Sequence, residues 1–463
     1  MNPTDREIRG IQPLLDVGPR LNPARAGRFW SYIHRWRVSL FQRWKQEVGD
    51  NVDPVKLGQS VDHLLGTRLL LHYVRSWHGP DVPSLKAFCA GDRTVSVLDL
   101  CEGIQASFSC PILRSVLDPS WAPAAIPVPT TIFESRWEHR IVDAVWLLLG
   151  DHPIPLTFFG DYHQLCVANP LGSDCSHRYE RGIHYTPAPV VDYLVNNTLG
   201  RALAGCSIDE ARQLRILDPS CGCGAFLIAA MRYLLRWFED CTSRNEAARY
   251  TSIQDHFKSL GDMLFGVDID ERAVAWTTRL LSLAAWEASI VEPPRTRQPP
   301  LLITPDFRRN AVCRSFLDVE PDSLLGRVDV IIGGPPFVRL RELHRSQRTQ
   351  IREYRRRFQT ARRGQFDLYM LFIERALELL ADGGHLGFSV ANTFIRTIGG
   401  DKIRRLISRR SRIIEVVEFE DKEVYPEAHP NRFAVIGKGD SARQISTCSH
   451  QRRRRPTDEI EQC

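Results

Sequence analysis

Residues 216–227 read Ile-Leu-Asp-Pro-Ser-Cys-Gly-Cys-Gly-Ala-Phe-Leu. An apolar strand ends at Asp218, a tight turn follows, and a helix opens at Ala225. Gly222 and Gly224 let the chain turn sharply and let a ligand approach the backbone closely. The stretch lacks the G-x-x-x-x-G-K-[ST] pattern that cradles nucleoside triphosphates, and it lacks the G-x-G-x-x-G of dinucleotide sites. An acidic residue before the turn repels phosphate. It suits a ligand with a cationic or donor-rich end, such as the ammonium of an amino acid. The same glycines also suit a purely structural strand-to-helix turn. Downstream, Asp268 ends a second strand in Phe-Gly-Val-Asp-Ile-Asp (265–270), where a carboxylate can accept both hydroxyls of a ribose. A strand-end Asp also reads as a helix N-cap; paired with the first loop, it favours a nucleoside. A third strand, 328–332, runs into Gly333, Gly334, Pro335, Pro336 and Phe337, an unusual way to turn a chain.

These residues need a frame that places strand ends together. From about residue 180 the chain alternates short β-rich runs with longer helical ones. Strands are predicted at 214–218, 262–268, 328–334, 385–391, 413–419 and 432–437. Helices are predicted at 224–238, 271–288, 367–381 and near 400–410, with 239–260 as an insertion. The alternation implies an α/β, doubly wound, mostly parallel sheet. Ligands of such sheets bind beyond the carboxyl ends of the strands, near the point where strand order reverses. Residues 1–155 read instead as a mainly helical domain. Its stretches 28–48 and 61–77 are rich in Trp and Arg at helical spacing, either a bundle core or a surface facing DNA.

Composition bounds the rest. The chain has 463 residues, 43% hydrophobic and 25% charged, with a formal net charge of +6. That mild basicity is compatible with a nucleic-acid partner. Twelve cysteines without a CxxC pair argue against zinc or disulfide frameworks and for a reducing cytoplasm, and no metal site is expected. No apolar run approaches the roughly 18 residues a membrane span needs.

Taken in order, His-Tyr-Thr-Pro (184–187), Asp-Pro-Ser-Cys-Gly-Cys-Gly-Ala-Phe (218–226), Gly-Val-Asp-Ile-Asp (266–270), Gly-Gly-Pro-Pro-Phe (333–337) and the stretch 367–394 form an ordered set. Over roughly 155–437 the sequence resembles the gamma-class adenine-N6 DNA methyltransferases of large restriction–modification and phage-defence systems. The resemblance implies an S-adenosylmethionine-dependent methyltransferase domain over 156–438 and S-adenosylmethionine as cofactor. Tyr185, Thr186 and Pro187 would flank its methionine part, above a loop formed by Asp218, Gly222 and Gly224. Asp268 would take the ribose hydroxyls, Ile269 would pack on the adenine ring, and Phe316 would sit on that adenine. The partner implied is double-stranded DNA with a flipped adenine. Phe337 would stack on the flipped base, and Pro335, held by Pro336, would present its carbonyl to the amine. The family motif is Asn or Asp, then Pro-Pro, then Tyr or Phe. The side chain of its first residue is the second acceptor that localises the amine's lone pair.

This sequence departs from the motif at Gly334, which has no acceptor, and at Ser315, where family members often carry Asp before the position of Phe316. The expectation is a chain that binds S-adenosylmethionine and methylates slowly or not at all. Its rivals are a cofactor- or DNA-binding remnant or defence-complex subunit, and a methyltransferase for protein glutamine or RNA. A basic insertion, 339–363, carries ten arginines against two glutamates. Arg339, Arg341, Arg345, Arg355, Arg356 and Arg357 are the candidate phosphate contacts, with Tyr354 and Phe358 interleaved. The polar stretch 439–463 reads as a disordered tail. It leaves the family's target-recognition domain absent from this sequence, so a separate specificity subunit is a candidate partner.

Overall fold

A computed structural model describes residues 23–78, 156–172, 186–244, 253–290, 307–320, 327–340, 348–418 and 431–437. Within the other ranges lie Tyr185, Arg341, Arg345, all of 79–155 and the tail after 437, so those expectations fall outside the described residues. The chain divides into two units, Met1–His177 with Ser289–Leu302, and Arg178–Ala288 with Ile303–Cys463.

The first unit is helical where described: α1 (Pro23–Val48), α2 (Pro54–His78) and α3 (Thr157–Ala168). The tryptophans of α1 point inward rather than to a partner. Trp30 and Trp44 are each 1% exposed, and Trp30 lies 4.9 Å from Phe158 of α3. At the centre Arg37 is fully buried and grips Asp62 with two hydrogen bonds of 2.7 and 3.0 Å. Arg37 also donates to the carbonyl of Asn169, and the Tyr162 hydroxyl donates to the carbonyl of Asp62. A buried charge needs this degree of partnering to be tolerated.

The second unit is built on a seven-stranded sheet. Its strands are β1 (Ile216–Asp218), β2 (Leu264–Asp268), β3 (Ala311–Cys313), β4 (Val328–Gly333), β5 (Leu380–Ala391), β6 (Arg412–Glu418) and β7 (Asn431–Gly437). They lie in the order β3-β2-β1-β4-β5-β7-β6. All neighbours are parallel except β7, which is antiparallel to both β5 and β6. The flanking helices are α4 (Ala188–Ala202), α5 (Ala225–Arg244), α6 (Ile253–Met263), α7 (Glu271–Ile290), α8 (Arg348–Arg357), α9 (Leu368–Leu379) and α10 (Asp401–Arg410).

Apolar runs dictate the centre of this sheet. β1 and the Val330–Ile332 run of β4 are buried throughout, as expected of parallel strands covered on both faces. Helix α4 packs on β4, β5 and α5. It comes so close that a Cβ on Gly387 of β5 would collide with the Thr198 hydroxyl. The chain proceeds from β1 outward through β2 to β3, then crosses to β4 and proceeds the other way. Strand order therefore reverses between β1 and β4, and a crevice opens beyond their carboxyl ends. Among the described residues no helix is long and apolar enough to cross a membrane, and no cluster of metal-ligating side chains occurs.

Candidate active site

Four chain segments meet beyond the ends of β1, β2 and β4. The first is the loop after β1. Gly222 and Gly224 have φ of +53° and +83°, the left-handed region that glycine alone enters without strain. The loop is stapled to the next strand: Cys221 N–H donates to the Val267 carbonyl (3.0 Å) and Gly222 N–H to Asp268 Oδ2 (2.9 Å). Thr277 of α7 donates its hydroxyl proton to the Gly222 carbonyl at 2.7 Å.

Asp218 is 1% exposed at the end of β1. Its Oδ1 accepts from Ser220 N–H at 3.0 Å, while Oδ2 is buried with no hydrogen-bond partner among the described residues. Burial, with the nearby Asp268 charge adding repulsion, pushes the carboxyl up to about 8, against the Ser220 N–H that stabilises its charged form. Such an oxygen, unpaired among the described residues, can take a donor from a ligand. Asp268 is itself raised by burial, a shift opposed by the N–H groups of Asp270 and Gly222. Next to it Ile269 stands 70% exposed, an apolar side chain with nothing over it.

The turn after β4 completes the crevice. Gly333 and Gly334 are often read alike in sequence, yet their surroundings differ. A Cβ on Gly333 would come within 2.6 Å of Asp218 Oδ1 and 3.2 Å of Pro219 Cδ, so β4 can end against Asp218 only without a side chain. A Cβ on Gly334 would meet Thr186 Oγ1 at 2.7 Å and then nothing closer than Phe226 Cε2 at 3.9 Å. Neither glycine has a positive φ. The turn is held despite its two glycines: the Ser220 hydroxyl donates to the Gly334 carbonyl at 3.2 Å. Beyond it, Leu368 N–H donates to the Val338 carbonyl at 2.9 Å. Pro335 is buried, Pro336 half-buried, and the half-buried Phe337 lies 6.3 Å from the Tyr369 ring.

Two of the expected site residues are engaged inside the fold. Phe316 is 1% exposed in the hydrophobic core, with its ring 5.3 Å from Phe372. The ring braces the segment after β3. Arg357 is committed within the fold. It pairs with Asp318 (2.5 Å), Glu320 (3.3 Å) and Glu353 (3.3 Å), so a phosphate would have to compete with three carboxylates for its guanidinium. Tyr354 and Phe358 face the core, because their spacing puts them with Ile351 on the inner side of α8. Arg355 and Arg356, like Arg352 and Arg339, are exposed. Buried Glu374 fixes the end of α8 by accepting from the N–H groups of Gln359 and Thr360. Thr186 and Pro187, just before α4, are half-buried at the crevice.

Residues 262–425 match the Eco57I restriction-modification methylase family model. Over that stretch the chain is similar to restriction–modification methylases of the Eco57I kind. It is 26% identical over 266 residues to the type II restriction enzyme and methyltransferase RM.Eco57I of Escherichia coli, covering 53% of this chain and 27% of that protein. It is 28% identical over 279 residues to the type II methyltransferase M.PaeR7I of Pseudomonas aeruginosa, covering 58% and 42%. The chain thus spans less than half the length of these curated relatives. Among solved structures, a DrdV–DNA complex superposes with a TM-score of 0.53 at 14% identity, over 95% of this chain and 42% of that one. The type IIG restriction endonuclease BpuSI does so with 0.52 at 14% identity, over 88% and 39%. These likenesses establish the methylase fold, and S-adenosylmethionine is the cofactor that the family and fold imply.

The residues of this methylase domain fit that cofactor. Asp218 offers an unpartnered buried oxygen to a cation, the left-handed glycines clear the loop beneath it, and Ile269 is an uncovered apolar side chain beside Asp268.

Proposed function

We propose that the second unit transfers a methyl group from S-adenosylmethionine to N6 of an adenine flipped out of duplex DNA. One observation carries the reading: the Pro-Pro-Phe turn abuts the Asp218 loop at the reversal between β1 and β4, so a methyl donor and a planar base would meet there. Asp218, Gly222, Asp268 and Ile269 would hold the cofactor. Bound S-adenosylmethionine would supply an electrophilic methyl group on a sulfonium, to be taken by the N6 amine with loss of the amine's proton to water. The chain's own part is to stack the base on Phe337, worth roughly 1–3 kcal/mol, and to accept an N6 hydrogen at the Pro335 carbonyl. Exposed Arg355 and Arg356 would contact phosphates from the outer face of α8.

Gly334 gives no side-chain acceptor, so the transfer rate is expected to lie roughly 10²–10³-fold below that of a fully equipped site. The same glycine supports a second reading, a domain that binds cofactor and DNA without turnover. Tritiated S-adenosylmethionine incubated with mixed-sequence genomic DNA, followed by nucleoside analysis, separates the two. Label in N6-methyladenine supports transfer. Calorimetric cofactor binding with no label in DNA supports the second reading, and label in protein or RNA alone overturns the DNA assignment.

A further inference from the structure

The missing acceptor leaves a space, and the structure puts an oxygen in it. Thr186 Oγ1 lies 2.7 Å from where a Cβ on residue 334 would stand. In an asparagine the side-chain oxygen lies about 2.4 Å from its own Cβ, by ordinary C–C and C=O lengths. The Thr186 hydroxyl is therefore at nearly the distance from position 334 that the absent amide oxygen would have. Among the described residues, the chain neighbours aside, the next heavy atom to that Cβ position is Phe226 Cε2 at 3.9 Å. The placement follows from the fold. Thr186 and Pro187 directly precede α4, whose first turn begins with Val190 and Val191 donating to the Pro187 carbonyl. Packing of α4 on β4 and β5 fixes that end of the helix. On the other side, the Ser220 hydroxyl holds the Gly334 carbonyl, which sets the turn opposite Thr186.

We propose that the Thr186 hydroxyl replaces the side chain absent at Gly334 as the second hydrogen-bond acceptor for the target amine. The inference rests on the methyl-transfer reading above and names a residue that does part of its chemistry. A hydroxyl oxygen has lone pairs for an N6 hydrogen and can turn its own proton away. It is a weaker acceptor than an amide or carboxylate oxygen, which agrees with a site that works slowly. A side chain at 334 and the Thr186 hydroxyl compete for one volume, so the two acceptors are alternatives and not additive.

The test compares full-length wild type with Thr186→Val, Thr186→Ser and the double variant Gly334→Asn/Thr186→Ala, with thermal melting to establish that each is folded. Single-turnover transfer of tritiated methyl to mixed-sequence genomic DNA is measured beside calorimetric affinity for S-adenosylhomocysteine. Expected is a roughly 10²-fold slower transfer in Thr186→Val. Thr186 would also flank the cofactor, so some loss of S-adenosylhomocysteine affinity is expected, but less than the tenfold that 1.4 kcal/mol represents and much less than the loss of transfer. Thr186→Ser keeps the oxygen and should transfer at close to the wild-type rate, and the double variant should match or exceed it. A second readout needs no turnover. With S-adenosylhomocysteine present, wild type should bind an adenine-rich single strand several-fold tighter than one carrying N6,N6-dimethyladenine, and Thr186→Val should lose that preference. Wild-type transfer by Thr186→Val, or parallel loss of transfer and cofactor affinity, overturns the proposal. A wild type that binds cofactor without transfer, beside an active double variant, overturns it while leaving the methyltransferase reading intact. Silence of both, with cofactor bound, overturns the reading itself.

Discussion

On the proposed assignment of the cofactor's cation to Asp218, cofactor affinity should depend on pH in a calculable way. In the free protein its carboxyl is held at about 8 by burial and by the Asp268 charge. A cationic ligand against the unpartnered Oδ2 favours the charged form, so binding must expel the proton. With a pKa of about 8, mass action leaves roughly 0.3% of the carboxyl ionised at pH 5.5 and about 9% at pH 7.0. Affinity for S-adenosylmethionine should therefore rise about 30-fold over that interval, and binding at pH 7.0 should release about 0.9 proton. The window stops at 7.0 because an α-ammonium group titrates near roughly 7.7–8.0. Stability runs the other way. The folded pKa exceeds the unfolded value, so the folded state holds more protons between about pH 4 and 8. Asp218 thus costs the free protein nothing below that window, and stability falls as pH rises through it. Isothermal calorimetry in two buffers of different ionisation enthalpy measures both affinity and proton release. Asp218→Asn should flatten the affinity profile and abolish the release. Affinity changing less than threefold between pH 5.5 and 7.0, with no proton released by wild type, would refute the assignment of the cofactor's cation to Asp218.

Other perturbations test other parts of the architecture. Gly333→Ala forces a methyl into Asp218 and should lower stability by roughly 1–3 kcal/mol, whereas Gly334→Ala, facing only the Thr186 hydroxyl, should cost less; chemical denaturation compares them. Phe337→Ala should weaken binding of a flipped base by roughly 1–3 kcal/mol, read with 2-aminopurine at the target position. Arg355→Gln with Arg356→Gln should reduce the salt slope of DNA binding by roughly 0.9 for each phosphate no longer neutralised, while Arg357→Gln should lower the melting temperature and leave that slope unchanged. In the helical unit, Asp62→Ala strands the buried Arg37 and should cost roughly 3–5 kcal/mol, measured by denaturant titration.

Much of the sheet is legible in the sequence because parallel strands buried on both faces read as plain apolar runs. Leu217, Val267 and Val330 mark three of them, and Asp218 and Asp268 punctuate their ends. β3 escapes notice because Ala311–Cys313 is short and two of its three residues are exposed. Helices α4 and α6 do not stand out in the sequence, the second because it lies inside a stretch that reads as an insertion. Sequence spacing cannot show that Arg357 is consumed by Asp318 and Glu320, since those partners lie 39 and 37 residues away. The burial of Phe316 is hidden for a similar reason: its position after β3 is visible, but the Phe372 ring packed against it comes from α9. The unequal space beside Gly333 and Gly334 is likewise a property of neighbours that only folding brings together.

That inequality has a consequence at the level of the gene. Every glycine codon becomes an acidic codon when its middle base changes from G to A. At position 333 such a change would drive a carboxylate into Asp218 and be purged. At position 334 it would set an acidic side chain toward Thr186, into a space bounded otherwise by Phe226. A stronger acceptor is thus within reach of a single transition, at the one glycine of the pair where the obstacle is a hydroxyl tip that would have to shift, not a buried carboxylate.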